Sequence, residues 1–285
     1  MSTAYLIAGS GGMLGTALQT VLSARGARFD APAEGGFDIT DAAQVAVRVR
    51  DFAHLLETDE RGVLINAAAY TNVERAEDDE TTAYAVNDTG AANLARAARD
   101  AGIGLVHVST DFIFDGAKTG AYNEQDEPNP LSVYGASKLA GERSVLEADP
   151  SALIVRTAWV YGPAGVNFPV KILTAAREGR ALKGVTDEVG SPTYTLDLAA
   201  GLLDLEDAGA TGLFHLAGAG SCSRYELACE VLKLARLDVA VEPVLSGSFT
   251  VRAARPANSV LDCTKASVLG VMMPTWEDGL RRFLK

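Results

Sequence analysis

The sequence lacks three features that would each indicate a different class of protein. Its only cysteines are Cys222, Cys229 and Cys263. They are odd in number and lack the close spacing of metal ligands, which argues against a disulfide framework and a zinc site. No apolar run approaches the roughly 18 residues that a membrane span requires. There is no basic excess either, since 25 basic residues stand against 37 acidic ones and leave a net charge of −12. Nucleic acid and membrane are therefore not expected partners.

The N-terminus also lacks a basic segment before its first apolar stretch, so we expect no signal peptide and a cytoplasmic protein. What the sequence does have is an ordinary globular composition, with 285 residues, 48% hydrophobic and 22% charged. This length suits one large domain or two small ones. Because the chain is acidic overall, an anionic ligand would need a local cluster of positive groups or helix N-termini.

Short apolar runs alternate with amphipathic segments through the first 160 residues. The runs, predicted to be strands, are 5–8, 28–31, 63–66, 105–109 and 153–156, and the predicted helices are 13–24, 41–56, 81–101 and 133–148. Strands that alternate with helices of this length indicate βαβ units. The sequence therefore predicts an α/β fold with a Rossmann-like, doubly wound parallel sheet.

After residue 160 the segments become shorter and less regular. Ser223 and Glu226 have the spacing of a capping box, which predicts a helix through about residue 234, and Thr275 similarly opens a final helix that ends near residue 283. We predict a Rossmann-like domain at 1–160 and a smaller, mainly substrate-binding portion at 161–285, between which the chain is free to cross. In such sheets ligands bind at the carboxyl edge of the strands.

A glycine motif follows the first predicted strand and opens a helix. Gly9, Gly12 and Gly15 are spaced Gly-x-x-Gly-x-x-Gly. Glycines at this position allow a tight turn and let a pyrophosphate approach the backbone N–H groups of the helix end. The motif predicts a dinucleotide site, and the alternative is a plain turn between strand and helix.

A tyrosine and a lysine one helical turn apart form the second motif. Tyr134 and Lys138 lie on one face of the predicted helix 133–148. The ammonium is expected to lower the pKa of the phenol, which would make Tyr134 a proton donor for a carbonyl under reduction. Thr110 ends a predicted strand and could hydrogen-bond a substrate oxygen beside the phenol. The alternatives are an ordinary helix-surface pair and a threonine that caps a turn.

Together these segments resemble the dTDP-4-dehydrorhamnose reductase family of extended short-chain dehydrogenases/reductases. The similarity spans nearly the whole chain. Its matching segments are Gly9-Ser-Gly-Gly-Met-Leu-Gly15, Asn66-Ala-Ala-Ala-Tyr-Thr71, Ser109-Thr-Asp-Phe-Ile-Phe114, Ser132-Val-Tyr-Gly-Ala-Ser-Lys-Leu-Ala-Gly-Glu142, Arg156-Thr-Ala-Trp-Val-Tyr-Gly162, Gly190-Ser-Pro-Thr193, Arg255-Pro-Ala-Asn-Ser259 and Trp276-Glu-Asp-Gly-Leu280.

The resemblance implies a role for each of several residues. Tyr134, Lys138 and Thr110 would form the catalytic set, and Lys138 would also hold the nicotinamide ribose. NADPH or NADH would be bound by Tyr134, Lys138 and a set of residues from three loops, namely Gly9, Gly12, Met13, Leu14, Gly15, Asp38, Ile39, Ala69, Tyr70 and Thr71. Thr110, Asp111 and Trp159 would contact the nucleotide sugar. Charge and motif together suggest Arg255 for its diphosphate.

The implied activity is NAD(P)H-dependent reduction of the C4 keto group of dTDP-4-dehydro-L-rhamnose. A dehydratase is disfavoured because Phe112 follows Asp111 where family dehydratases carry a catalytic glutamate. Two alternatives stay open: a reductase or epimerase of another nucleotide-linked keto-sugar, and a non-catalytic NADP-binding regulatory subunit. Asp30 and Glu34 are candidate acids for a ribose 2′-OH, so the residues leave NADH and NADPH open. They also leave open a homodimer and a Mg²⁺ ion between subunits, and no metal-binding residue is predicted.

Overall fold

A six-stranded parallel sheet forms the centre of the protein. The computed structural model describes residues 2–33 and 35–285. The strands of the chain are β1 (Ser2–Ala8), β2 (Arg28–Asp30), β3 (Glu60–Asn66), β4 (Gly104–Thr110), β5 (Leu153–Thr157), β6 (Val160–Tyr161), β7 (Leu182–Val185), β8 (Val189–Gly190), β9 (Thr193–Tyr194), β10 (Gly212–His215), β11 (Cys222–Ser223) and β12 (Val241–Val244). The large sheet has the order β10-β5-β4-β3-β1-β2. Its strand order reverses between β1 and β3, and ligands bind at such a point.

Helices cover both faces of this sheet. The helices are α1 (Met13–Ala24), α2 (Ala42–His54), α3 (Val73–Ala76), α4 (Glu80–Tyr84), α5 (Ala91–Ala101), α6 (Val133–Ala148), α7 (Phe168–Arg177), α8 (Thr195–Asp207), α9 (Arg224–Leu234), α10 (Thr264–Val268) and α11 (Trp276–Phe283). Helices α1 and α8 pack on one face, and α2, α5 and α6 pack on the other. Strands buried on both sides read as continuous apolar runs. The predicted α/β class with a parallel sheet is confirmed.

The predicted helix 81–101 is divided by a π-helical turn, Ala85–Gly90, between α4 and α5. The turn brings the buried Asn87 side chain toward α6, where its amide donates to the Ser137 hydroxyl at 2.9 Å and its oxygen accepts from Tyr70 N at 2.8 Å. A side chain at Gly141 would overlap the Asn87 carbonyl, so the two helices approach closely here. Widened turns of this kind often occur at functional sites. The other long predicted helices begin and end within two residues of α1, α2 and α6.

The large sheet contains one strand from the second half of the chain. Strand β10 pairs in parallel with β5, and α8, which precedes it, packs against α1. A separate apolar cluster lies outside the large sheet, where helices α7, α9 and α11 pack around short strands. The division at residue 160 stays a prediction, but a strand and a helix from 161–285 lie in the large sheet. No helix in the described part of the chain has the length and apolar character needed to cross a membrane.

Candidate active site

A cleft of about 1210 Å³ lies at the carboxyl edge of the large sheet. Most residues that the sequence singled out as site residues line it: Gly9, Gly12, Met13, Leu14, Asp38, Ile39, Ala69, Thr71, Thr110, Asp111, Tyr134, Lys138, Trp159 and Arg255. Gly15 and Tyr70 do not line it. Tyr70 instead uses its backbone N–H to fix Asn87, and Gly15 packs under the glycine loop. The fold therefore gathers the predicted residues at one cleft, while their individual roles stay predictions.

The glycine loop has the shape that a pyrophosphate requires. Gly9 has φ +79°, and a Cβ there would overlap the Ala68 backbone. A Cβ on Gly15 would overlap the Gly9 carbonyl, so the helix can begin this close to the strand only with glycine. Gly12 is the N-cap of α1, and no side chain caps the helix. The first N–H groups of α1 are thus left for an anion from the cleft, which fits the phosphates of a dinucleotide.

The other end of the cofactor region lies after β2. Asp38 lines the cleft, and its carboxylate accepts from Thr40 N at 2.9 Å and Thr40 Oγ1 at 2.8 Å, which lowers its pKa. Asp30, one candidate acid for the ribose, does not line the cleft and pairs with Arg48 of α2 at 2.7 Å. Glu34, the other, lies outside the described residues. The ion pair holds the Asp30 carboxylate against α2.

Tyr134, Lys138 and Thr110 meet on the floor of the cleft. Lys138 is 2% exposed, and its ammonium donates to the Val108 carbonyl at 2.7 Å. Burial lowers the pKa of Lys138 to about 8, and Glu142 partly offsets this change. Burial also raises the pKa of Tyr134 to about 12, against the opposing effect of the Thr110 hydroxyl.

The expectation that Lys138 lowers the pKa of Tyr134 is therefore wrong for this structure. Removal of the phenol from water disfavours the phenolate, and the ammonium is bound to a backbone carbonyl instead of the phenol. A high pKa keeps the proton on Tyr134 at neutral pH. The phenol is thus in the protonated form that a proton donor requires.

A buried ion pair lies behind these residues, and sequence reasoning missed it. Arg156 of β5 donates two hydrogen bonds to Glu142 of α6, at 2.9 and 2.7 Å, and the Ser109 hydroxyl donates a third at 2.5 Å. All three side chains are buried. Glu142 is one helical turn beyond Lys138, so the pair ties the lysine helix to strands β4 and β5. The matched motif contained Glu142, but nothing local in the sequence paired it with Arg156.

Two of the predicted substrate residues, Asp111 and Trp159, also line the cleft. Asp111 is 2% exposed, and burial raises its pKa to about 6. One of its oxygens accepts from Thr110 at 3.1 Å, while Oδ2 has no hydrogen-bond partner among the described residues. Trp159 has φ +45° and packs against Gly190, where a Cβ would overlap the indole. A carboxylate oxygen and an indole thus border the same space.

Arg255, which lines the cleft, takes part in an ion pair at its edge. Its guanidinium lies 2.7 Å from Glu74 of α3, and the neighbouring Arg252 contacts Asp78 and donates its backbone N–H to Glu74 at 2.9 Å. Sequence reasoning missed a second arginine in the cleft, Arg224. Its guanidinium carbon lies 3.3 Å from the centroid of the Trp159 ring. In the sequence Arg224 is only the residue after the Ser223 cap, and no local pattern marks it.

Comparisons with known proteins match the whole chain. The family model described as RmlD substrate binding domain matches residues 3–285. A dTDP-4-dehydrorhamnose reductase of Mycobacterium tuberculosis is 42% identical over 95% of this chain and 88% of that protein. A dTDP-4-keto-6-deoxy-D-glucose reductase of Streptomyces niveus is 37% identical over 92% of this chain and 89% of that protein. The crystal structure of dTDP-4-dehydrorhamnose reductase from Bacillus anthracis in complex with NADP is 36% identical, covers 99% of each chain and has a TM-score of 0.93.

Proposed function

Because the chain belongs to the RmlD substrate binding domain family, we propose that it reduces the C4 keto group of dTDP-4-dehydro-L-rhamnose to give dTDP-L-rhamnose, the last step of dTDP-rhamnose biosynthesis, with NADPH or NADH. The family membership confirms the resemblance inferred from the motifs. The proposal rests on one observation. Tyr134, Lys138 and Thr110 line the same cleft as the glycine loop. The NADP complex of the Bacillus anthracis relative supports the choice of cofactor class.

The residues present suit the cofactor. The uncapped N-terminus of α1 and the glycine loop would hold its phosphates, and Asp38 and Ile39 would lie toward the adenine. Lys138 would hold the nicotinamide ribose at the opposite end. When bound, the reduced cofactor supplies a hydride to the carbonyl carbon of the sugar. In this proposal residues 1–160 bind the dinucleotide, and residues 161–285 supply most of the remaining substrate contacts.

The protein side chains manage the proton. As the carbonyl oxygen gains negative charge, Tyr134 donates its phenolic proton to that oxygen, which avoids a free alkoxide in a closed site. The Thr110 hydroxyl hydrogen-bonds the Tyr134 phenol and the carbonyl oxygen of the sugar, and so orients the carbonyl. The phenolate that remains then regains a proton from solvent, which restores the protonated Tyr134. Asp111 and Trp159 hold the sugar against these groups.

The test is an assay of the purified protein with dTDP-4-dehydro-L-rhamnose and either NADPH or NADH. We expect loss of the absorbance of the reduced cofactor, and one dTDP-L-rhamnose formed for each cofactor oxidised. A parallel reaction with dTDP-4-keto-6-deoxy-D-glucose examines the other keto-sugar named among the relatives. Faster turnover of that sugar would favour the alternative reductase. Cofactor binding without turnover of either sugar would favour a regulatory subunit. A homodimer and a cytoplasmic location stay predictions.

A further inference from the structure

Arg224 lies in an unusual position for an arginine. No carboxylate or carbonyl in the described part of the chain accepts a hydrogen bond from its guanidinium group. Its guanidinium carbon lies 3.3 Å from the Trp159 ring centroid and 5.3 Å from that of Phe168. At 3.3 Å the planar group can only lie face-on to the indole, so its N–H groups point sideways. The side chain lines the cleft. No hydrogen bond or ion pair joins these N–H groups to another residue in the described ranges, 2–33 and 35–285.

A second arginine shares this part of the cleft. Burial lowers the pKa of Arg224 to about 10, and the positive charge of Arg255 adds a smaller lowering, while Glu188 and Asp111 act in the opposite direction. The two guanidinium groups line the same cleft and repel each other, and this repulsion is relieved when an anion binds near both. Arg255 is held at the edge of the cleft by Glu74. Both cations therefore border the cleft, where a bound anion would offset their repulsion.

The surrounding charge supports the same conclusion. The protein carries a net charge of −12, yet five basic residues of the described ranges line the cleft (Lys138, Lys171, Lys183, Arg224 and Arg255) against three acidic ones (Asp38, Asp111 and Glu188). A local positive field in an acidic protein serves to draw in an anionic ligand. On a nucleotide-linked sugar the diphosphate carries the negative charge, since the base and the keto-sugar are neutral. Guanidinium groups bind phosphate oxygens through paired hydrogen bonds, which an ammonium cannot reproduce.

We infer that Arg224, stacked on Trp159, is a diphosphate-binding residue of the substrate site, and that Arg255 leaves Glu74 to bind the same diphosphate from the other side. The inference rests on the proposed function for the nature of the ligand. It also gives Trp159 a second role. One face of its ring fixes the orientation of Arg224, so the sugar can contact only the opposite face or the edge of the indole.

The test measures binding rather than turnover, with dTDP and thymidine as the two probes. Arg224→Met removes the charge but keeps a chain that can cover Trp159, and Arg224→Lys keeps the charge without the planar fork. Lys233→Met is the matched control, because Lys233 lies on the same helix, is 74% exposed and, in the described part of the chain, pairs only with Glu230. Calorimetry gives each dissociation constant, and the NADPH affinity of every variant reports whether its cofactor site is intact.

We expect Arg224→Met to weaken dTDP binding on the order of 10- to 100-fold, as for a lost hydrogen bond to a charged group. Thymidine and NADPH affinities should stay the same. Arg224→Lys should recover only part of the dTDP affinity, and Lys233→Met should behave as the native protein. Equal losses for dTDP and thymidine would overturn the inference in favour of a merely structural role for Arg224. Unchanged dTDP affinity in Arg224→Met would overturn it as well, as would a native protein that does not bind dTDP.

The two proposals fail in different ways. A protein that binds dTDP through Arg224 but oxidises no NADPH with either keto-sugar would refute the reductase and retain the diphosphate site. If the protein reduces the sugar but Arg224→Met binds dTDP as tightly as the native protein, only the diphosphate site is refuted. Glu74→Gln is a further check, because it frees Arg255 and should strengthen dTDP binding if that arginine changes partner.

Discussion

Asp111 should make the protein less stable at neutral pH than an otherwise identical protein with asparagine at this position. Its carboxyl is 2% exposed, and Oδ2 has no partner among the described residues. Burial raises the pKa from the ordinary 3.8 to about 6, against the smaller opposing effects of the nearby Ser259 and Thr110 hydroxyls and of the Arg224 charge. The folded state therefore holds this proton more tightly than the unfolded state, and stability falls as pH rises from about 4 through about 6.

The size of the effect follows from the shift. About two pKa units correspond to about 3 kcal/mol of folding free energy once the group is ionised in both states, near pH 7.5. At about pH 5 roughly half of that penalty remains, because the folded carboxyl is still mostly protonated. Asp111→Asn removes the titration but keeps an oxygen that can accept from Thr110. It should gain up to about 3 kcal/mol near pH 7.5 and clearly less near pH 5.

Urea unfolding followed by circular dichroism at the two pH values measures this difference. The native protein and Asp111→Asn should differ more at the higher pH, and the m-value should not change. Equal stability differences at both pH values would show that the carboxyl does not titrate with a raised pKa. A loss of stability in Asp111→Asn near pH 7.5 would refute the reasoning outright, because it would mean that the charged carboxylate is well solvated or paired.

Four further outcomes are expected. Tyr134→Phe should lower kcat by about 10²–10⁴-fold and leave cofactor affinity intact, as steady-state kinetics and fluorescence titration would show, and full activity would remove the proton-transfer role. Because burial lowers the pKa of Lys138 to about 8, cofactor affinity should fall as pH rises through that value, while Lys138→Met should bind weakly with no such inflection. Gly12→Val should abolish dinucleotide binding without unfolding, since Gly12 has an ordinary extended conformation and its Cβ would be 3.3 Å from only one protein atom; unchanged affinity would make the loop a plain turn. Glu142→Leu should lower the free energy of unfolding by about 3–5 kcal/mol by leaving Arg156 buried and unpaired, whereas a loss below about 1 kcal/mol in denaturant unfolding would contradict that view of the pair.

Local signals account for most of the fold that the sequence predicted. The predicted helices 13–24 and 133–148 begin and end at the same residues as α1 and α6. The apolar spacing and the residues that mark each end lie within or next to the segment itself. Asp41 caps α2 with its side chain, and Ser223 and Glu226 form the reciprocal capping box. The glycine spacing likewise marked a loop whose backbone approaches Ala68 too closely for any side chain. Each of these features depends on residues a few positions apart.

The features that the sequence did not predict depend on contacts between distant segments. The π-helical turn positions Asn87 against Ser137 and Tyr70, and nothing within 81–101 indicates those partners. The pKa of Tyr134 was predicted in the wrong direction because its degree of burial is set by the whole cleft. Arg224 meets Trp159 only through the packing of α9 against the short strands. Composition and spacing do not encode such pairings.

The late strand β10 has a consequence for how the protein is made. A ribosome releases the chain in order, so β5 emerges well before Gly212–His215, the segment that covers its free edge. Until then the nascent chain exposes a row of unpaired backbone groups on β5 and an apolar α1 surface that α8 later covers. During synthesis this side of the sheet is open to pairing with another nascent chain. A translational pause while β10 is still inside the ribosomal exit tunnel should therefore increase aggregation more than the same pause after β10 has emerged.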